Sequence, residues 1–208
     1  VLPLLGGTPA VWTTCMLFFQ VALLAGYAYA HRAPGWFGAR QPKFHLVVLA
    51  LPLLALCLPI PPFWTAFEGT SAVVGLLLML AATVGLPFFV LATTAPLVQR
   101  WYAASGRPDA KDPYFLYAAS NAGSLVGLLA YPTLVEPMLR LGEQRAVWAA
   151  GYCLVAIATA ASALSSRPAT PADAPAAPVA APRKLLWVLL AFAPSSLLLG
   201  VTTHITTN

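Results

Sequence analysis

Four polar side chains lie deep inside long apolar runs of this sequence, where they could bind a ligand. Gln20 and Asn121 are each near the middle of such a run, and Thr93 and Thr94 form a pair between two prolines. A polar group in hydrocarbon is costly unless it is hydrogen-bonded, so each needs a partner. That partner is either a substrate or ion, or a side chain of a neighbouring helix. The sequence therefore predicts a polar intramembrane site or interhelical contacts at these four residues.

Residues for catalysis or ion coupling are absent from the same runs. No Asp, Glu, Lys or Arg lies at their centres. Because coupled transporters carry ionisable residues at such depths, this disfavours a proton- or sodium-coupled site formed by this chain alone. The motifs of nucleotide-binding loops, zinc hydrolases and serine hydrolases are missing as well. We therefore expect no enzyme activity from this chain, with no catalytic residue and no cofactor.

The histidines and cysteines do not form a predicted metal site. His31 and His45 lie at the ends of neighbouring apolar runs, but nothing in their spacing requires a shared haem or metal. Cys15, Cys57 and Cys153 are far apart and inside apolar runs, where inert thiols are expected. No metal ligand is predicted.

The composition indicates the solvent in which these residues must be positioned. The chain is 60% apolar and 8% charged, with a mean hydropathy of +0.79. A soluble domain is roughly 45–50% apolar and about 25% charged. The net charge of +5 is spread over loops rather than gathered on one stripe, which argues against a nucleic-acid partner. The expected partners are a lipid bilayer and other membrane helices or subunits.

Apolar segments of nearly membrane-spanning length predict an all-α polytopic transmembrane helical bundle with about six spans. The third segment is nearly thirty residues long and contains Pro87 and Pro96, which predicts a kinked or broken helix. Residues 1–164 form the region of five spans, 165–184 an Ala/Pro-rich linker, and 185–208 a sixth span truncated at its end. The chain termini resemble cuts through a longer polypeptide. The six segments cover approximately residues 9–30, 44–58, 70–98, 112–132, 146–164 and 185–204.

The distribution of positive charge orients these spans. Alternate loops collect nine Lys and Arg residues on one side and two on the other. The positive-inside rule therefore places loops 31–43, 99–112 and 165–184 in the cytoplasm of a bacterial cell, with the chain in the inner membrane. The nine residues are Arg32, Arg40, Lys43, Arg100, Arg107, Lys111, Arg167, Arg183 and Lys184, and the two are Arg140 and Arg145.

Small residues repeat at four-residue spacing in two of the predicted spans. Such a stripe lets a second helix approach closely, so both sets are candidate helix-packing surfaces. The first stripe is Ala22, Gly26 and Ala30, and the second is Ala119, Gly123 and Gly127.

An ordered set of short motifs runs along nearly the whole chain. The motifs include Leu-Gly-Gly-Thr-Pro at 5–9, Gly-Tyr-Ala-Tyr-Ala-His at 26–31, Thr-Thr-Ala-Pro-Leu at 93–97, Asp-Pro-Tyr-Phe-Leu-Tyr at 112–117 with Ser-Asn at 120–121, and Gly-Val-Thr-Thr-His at 200–204. This set resembles the membrane region of bacterial integral membrane proteins related to spermidine synthase, often labelled fused major-facilitator/spermidine-synthase proteins.

The resemblance implies a helix before the first motif, further helices after the last, and often a cytosolic aminopropyltransferase-like domain with a Rossmann fold. None of these lies within residues 1–208, so the resemblance carries no catalytic residue or S-adenosyl ligand onto this sequence.

Three functions fit these observations. The first is a membrane anchor or scaffold that holds a cytoplasmic domain or partner. The second is one half of a small-metabolite transporter, with a water-accessible cavity lined by Gln20, Asn121, Thr93 and Thr94. The third is an accessory subunit of a larger membrane complex that docks through the two small-residue stripes.

Overall fold

The computed structural model describes residues 8–57, 71–108, 110, 114–166 and 181–207. Within these ranges the chain is almost entirely helical and has no strand, which confirms the all-α fold class. The helices are α1 (Pro9–Phe37), α2 (Gln41–Cys57), α3 (Ala72–Leu80), α4 (Leu86–Ala103), α5 (Tyr114–Ala130), α6 (Glu136–Met138), α7 (Leu141–Ser165) and α8 (Ala181–Thr207).

Three helical stretches are long and apolar enough to cross a membrane. They are Pro9–Leu53, Ala72–Ala103 and Leu141–Ser165, and the first contains α1, a 3₁₀ turn at Gly38–Arg40 and most of α2. Each of the six predicted segments overlaps a helix, and among the described residues these three stretches meet the length and composition of a span. The predicted linker lies mainly outside the described residues, and α8 begins at Ala181, inside its predicted range.

Two helices begin at residues whose side chains cap the first turn. Thr8 has an extended backbone, and its side chain accepts a hydrogen bond from the Val11 amide, while Pro9 occupies the first turn. Ser71 caps α3 in the same way through the Val74 amide. The proline in the first turn of α1 removes an amide that would have no intrahelical acceptor, and each cap satisfies one free amide, so both ends are stabilised by their own sequence.

The third predicted span is continuous helix from Ala72 to Ala103 and widens into a π-helical turn at Ala81–Gly85. A second π turn follows α5 at Tyr131–Val135. In each, a threonine hydroxyl donates to the carbonyl four residues earlier: Thr83 to Met79 at 2.7 Å and Thr133 to Leu129 at 2.6 Å.

Each of these threonines is followed four residues later by a proline. Pro87 and Pro137 have no amide hydrogen to give to the carbonyls of Thr83 and Thr133. The wider turn accommodates this loss, whereas the threonine hydroxyl bonds a different carbonyl, one turn earlier. The Thr-x-x-x-Pro pattern is therefore the sequence signal for both π turns.

Contacts between helices fix their relative directions. Tyr29, near the end of α1, contacts His45, near the start of α2, so these two helices are antiparallel. Phe19 packs against Phe88 and Ala30 lies in one cluster with Leu97, so α1 runs parallel to α4.

Helix α7 also runs parallel to α4. Tyr152 donates to the Leu49 carbonyl of α2 at 3.1 Å and shares a cluster with Val90, whereas Ala163 clusters with Trp101 at the far end of α4. The C-terminal ends of α1, α4 and α7 therefore lie at one end of the bundle. The predicted cytoplasmic loops 31–43, 99–112 and 165–184 begin at or beside these helix ends.

Helices α1 and α4 approach each other closely at Gly26. Gly26 is buried, and a Cβ added to it would lie 2.8 Å from the Ala92 Cβ and 3.2 Å from the Phe89 carbonyl oxygen. Only glycine permits this backbone separation. Helix α8 belongs to a separate compact unit, residues 170–208, and contains Pro194 within its length.

Candidate functional site

A buried polar network joins α1, α2 and α4 inside the bundle. His45 of α2 is 0% exposed, and its two ring nitrogens face hydroxyls from different helices. The Tyr29 Oη of α1 is 3.2 Å from Nδ1, and the Thr93 Oγ1 of α4 is 3.5 Å from Nε2. One imidazole therefore connects three helices.

The hydrogen bonds of Thr93 determine the tautomer of this histidine. Thr93 Oγ1 lies 2.6 Å from the Val90 carbonyl oxygen, and its single proton is donated there. Nε2 of His45 must then carry the proton that it shares with Thr93. In the neutral imidazole, Nδ1 is the acceptor of the Tyr29 hydroxyl proton. The network thus runs in one direction, from Tyr29 through His45 and Thr93 to the α4 backbone.

Gln41 extends the network and leaves one polar atom without a partner. Its Oε1 accepts a 2.8 Å hydrogen bond from the Trp101 indole, and its side chain is only 2% exposed. The amide also lies near enough to the Tyr29 hydroxyl to interact with it. Its Nε2 nevertheless makes no hydrogen bond of acceptable geometry among the described residues. This N–H group can donate to a small acceptor, such as a water molecule or a carbonyl.

Aromatic rings enclose these polar atoms. The His45 ring meets Trp101 edge to face at 5.8 Å and Tyr29 at 5.7 Å, and Tyr29 meets Phe89 at 5.8 Å. The enclosure keeps competing polar groups away, which strengthens each hydrogen bond and makes an unpaired one costly. The arrangement can fix the orientation of the imidazole.

A cavity of about 510 Å³ lies beside the network, between the C-terminal parts of α4 and α7. Trp101 forms part of its wall, so the same side chain borders both the cavity and the buried network. The other lining residues are Val98, Tyr102, Ser105, Arg107, Ala161, Ser162, Ser165 and Ser166.

The structure does not bring the four predicted polar residues together. Thr93 is buried and Thr94 half-buried, and both hydroxyls donate to the Val90 carbonyl of their own helix. Gln20 on α1 and Asn121 on α5 are exposed. A shared site for all four stays a prediction.

The two small-residue stripes have different surroundings. Gly26 and Ala30 are buried against α4 and Ala22 is half-buried. The second stripe is exposed on α5, and a Cβ added at Gly123 or Gly127 would meet no atom within 4 Å.

Sequence reasoning missed Tyr29, Gln41, His45 and Trp101 as members of one site. Each looked like an ordinary polar or aromatic residue at the end of an apolar run. The residues that contact each other are 12 to 60 positions apart in the sequence. Local spacing therefore cannot predict that they meet in the fold. The available hint was that Tyr29, Gln41 and His45 lie in or beside the same predicted loop, 31–43.

The described residues contain no group of three or more His, Cys, Asp or Glu side chains arranged to hold a metal ion. Comparison of the chain with protein-family models, curated proteins and solved structures finds no match.

Proposed function

We propose that this chain is the membrane-embedded region of a spermidine-synthase-like integral membrane protein of the bacterial inner membrane. It crosses the membrane six times, with a kink in the third span, and acts as an anchor or scaffold for a cytoplasmic domain or partner. The ordered motifs, the all-helical fold and the three long apolar stretches support this proposal. Aminopropyl transfer, where relatives perform it, is assigned to the attached domain and not to this chain.

The observation that carries the scaffold role is the exposure of α5. Every α5 side chain except Leu116 and Ala130 is exposed, and Asn121 makes no hydrogen bond with the described residues. At about 100° per residue, Asn121 and Ala119 lie on opposite sides of the helix. One side thus carries an amide and the other a small-residue stripe.

Neither side of α5 suits contact with lipid alone. An amide in hydrocarbon needs a hydrogen-bonding partner, and a stripe of glycine and alanine gains most from close contact with another helix. We therefore assign to α5 at least one further membrane-spanning helix that carries a hydrogen-bonding side chain opposite Asn121. A transporter half has less support, since Gln20 and Asn121 face outward rather than line a common cavity.

Native mass spectrometry of the protein extracted from its own membrane tests the scaffold role. A polypeptide far above 21.9 kDa indicates a fused protein, and one near 21.9 kDa with stoichiometric partners indicates a free-standing accessory subunit. Asn121→Leu and Gly123→Leu should each reduce retention of the partner helix, whereas Gly151→Leu, at an exposed position of α7, should not. A chain that purifies alone and unchanged by these substitutions contradicts the proposal.

The six-span topology predicts which positions react from each side of the membrane. In a variant without native cysteines, Gly35→Cys and Ser105→Cys should react with an impermeant maleimide only after the cytoplasmic side is opened. Gly142→Cys, at the opposite end of α7, should react in intact spheroplasts. Reaction of all three from one side would rule out the alternating arrangement.

A further inference from the structure

The turn between α1 and α2 presents exposed positive charge, and the proposed anchor function does not use it. Gly38 ends α1 with φ 50°, a conformation that favours glycine, and its amide donates to the Pro34 carbonyl. The rings of Phe37 and Phe44 stack across the turn with their centroids 3.9 Å apart. Only the 3₁₀ turn at Gly38–Arg40 separates the two helices. The side chains beside this turn are therefore held in defined directions.

Three cations and one indole lie on the outer surface of this turn. Arg32, Arg40 and Lys43 are all exposed, and Trp36 is 65% exposed. Residues four apart share one side of a helix, so Arg32 and Trp36 are neighbours on α1. The basic hairpin patch is the set of these four residues.

The acidic side chains of the described residues lie far from this patch. The sequence contains no Asp or Glu before Glu68. Among the described residues the acidic side chains are Glu136 and Glu143, beside the start of α7 and thus at the opposite end of the bundle. The basic hairpin patch therefore has a positive potential, which an anionic partner would complement.

The surface next to the patch on α2 is apolar. Lys43, Val47 and Leu51 follow one another at four-residue spacing, and the last two are 59% and 42% exposed. The row from Lys43 to Leu51 extends about 12 Å along the helix axis. A head-group region is about 5–8 Å deep, so this row passes from a charged layer into hydrocarbon. An acidic protein or a nucleic acid in water would leave the apolar end uncovered, whereas a bilayer covers both ends.

From this order of charged and apolar surface we infer that the basic hairpin patch binds the head groups of anionic phospholipids in the cytoplasmic leaflet. The guanidinium groups of Arg32 and Arg40 form paired hydrogen bonds with phosphate oxygens, and Lys43 adds a compact charge. Trp36 lies at the boundary between head groups and acyl chains, where indole rings are common. The inference rests on the membrane orientation of the proposed function but not on the scaffold role of α5.

Lipid retention by the full chain in a neutral detergent tests this inference. Phosphatidylglycerol and phosphatidylcholine with identical acyl chains are added in equal amounts, and bound lipid is measured by native mass spectrometry. One cation beside an anionic lipid surface corresponds to about a fivefold difference in association, so phosphatidylglycerol should be retained better by this factor or more. Equal retention of the two lipids would overturn the inference.

Charge-matched variants locate the preference for phosphatidylglycerol. Arg32→Gln combined with Lys43→Gln should bring the retention of the two lipids close to equality. Arg140→Gln combined with Arg145→Gln removes the same charge from the opposite end of the bundle and should leave the preference unchanged. All four side chains are exposed, so neither double variant should shift the midpoint of thermal unfolding. An equal loss of preference in both would assign it to overall charge and contradict the inference.

Salt and an acidic polypeptide separate other causes of retention. A wash in about 1 M salt, where charges interact over only about 3 Å, should remove the preference for phosphatidylglycerol. A preference that survives this wash is not electrostatic and would contradict the inference. Binding of polyglutamate, without any advantage of phosphatidylglycerol over phosphatidylcholine, would assign the patch to an acidic protein instead.

Alkaline carbonate extraction of native membranes distinguishes this inference from the proposed function. Release of the chain by carbonate contradicts membrane embedding, and the lipid assignment fails with it. A carbonate-resistant chain without lipid preference contradicts only the assignment of the basic hairpin patch.

Discussion

Replacement of Gly26 by alanine is expected to destabilise the helical bundle by about 1–3 kcal/mol, the usual cost of overpacking a tight interior. The new methyl carbon would lie 2.8 Å from the Ala92 Cβ and 3.2 Å from the Phe89 carbonyl oxygen. Both atoms are fixed to the α4 backbone and cannot rotate away. The two helices would therefore have to separate along the interface that also buries Ala30 and Leu97.

Gly151→Ala provides the matched control. Gly151 lies inside α7 with no atom within 4 Å of an added Cβ, so alanine meets no clash there. It should stabilise the helix by up to about 1 kcal/mol, because alanine loses less backbone entropy than glycine. The two identical substitutions are thus expected to have opposite signs. The measurement is the midpoint of thermal unfolding of the purified protein in detergent.

A compensating change sharpens this test. Ala92→Gly removes the nearer of the two obstructing atoms and should recover part of the stability that Gly26→Ala loses. The Phe89 carbonyl remains, so recovery should be incomplete. Equal midpoints for Gly26→Ala and Gly151→Ala would show that α1 and α4 are not in close contact at this position.

The four-residue spacing of Ala22, Gly26 and Ala30 already drew attention to this interface. The apolar runs likewise predicted where helices occur, because hydrocarbon-compatible segments leave few alternatives to helix. The caps at Thr8 and Ser71 are likewise formed with amides three residues away in the sequence. These features depend on neighbours within one helical turn, and such information is present in the sequence itself.

The side of each helix that packs into the bundle could not be predicted in the same way. A helix that is apolar on all sides has no periodicity to indicate which side packs inward. Thus Gln20 and Thr93 looked equally deep, yet Gln20 is exposed and Thr93 is buried against His45. The partners of a polar residue in such a helix depend on contacts between distant segments.

The π turns could be predicted from the sequence in part. Pro87 predicted an irregularity in the third span, but the outcome is a widened, continuous helix. The Thr83 hydroxyl donates to the Met79 carbonyl just before the widened turn. Thr133 does the same before Pro137, so the local pattern specifies the type of irregularity once it is recognised.

The second large effect is expected at the buried hydrogen bond between Gln41 and Trp101. Trp101→Phe keeps an aromatic ring but removes the indole N–H that donates to the Gln41 Oε1 at 2.8 Å. The Gln41 Nε2 is already without a partner, so the whole side-chain amide would then be buried and unpaired. We expect a loss of about 1–3 kcal/mol, the cost of leaving a buried polar group unsatisfied.

Gln41→Leu should also destabilise the protein, since it leaves the Trp101 indole N–H without an acceptor in a side chain that is 6% exposed. The double variant removes both partners, and the replacement of both by apolar groups is often nearly neutral. It should therefore be more stable than the sum of the single changes predicts, with a coupling of about 0.5–3 kcal/mol. Trp36→Phe, at a residue that is 65% exposed, is the control and should change little. Additive single effects would mean that the two side chains are not paired, and the network would then end at His45.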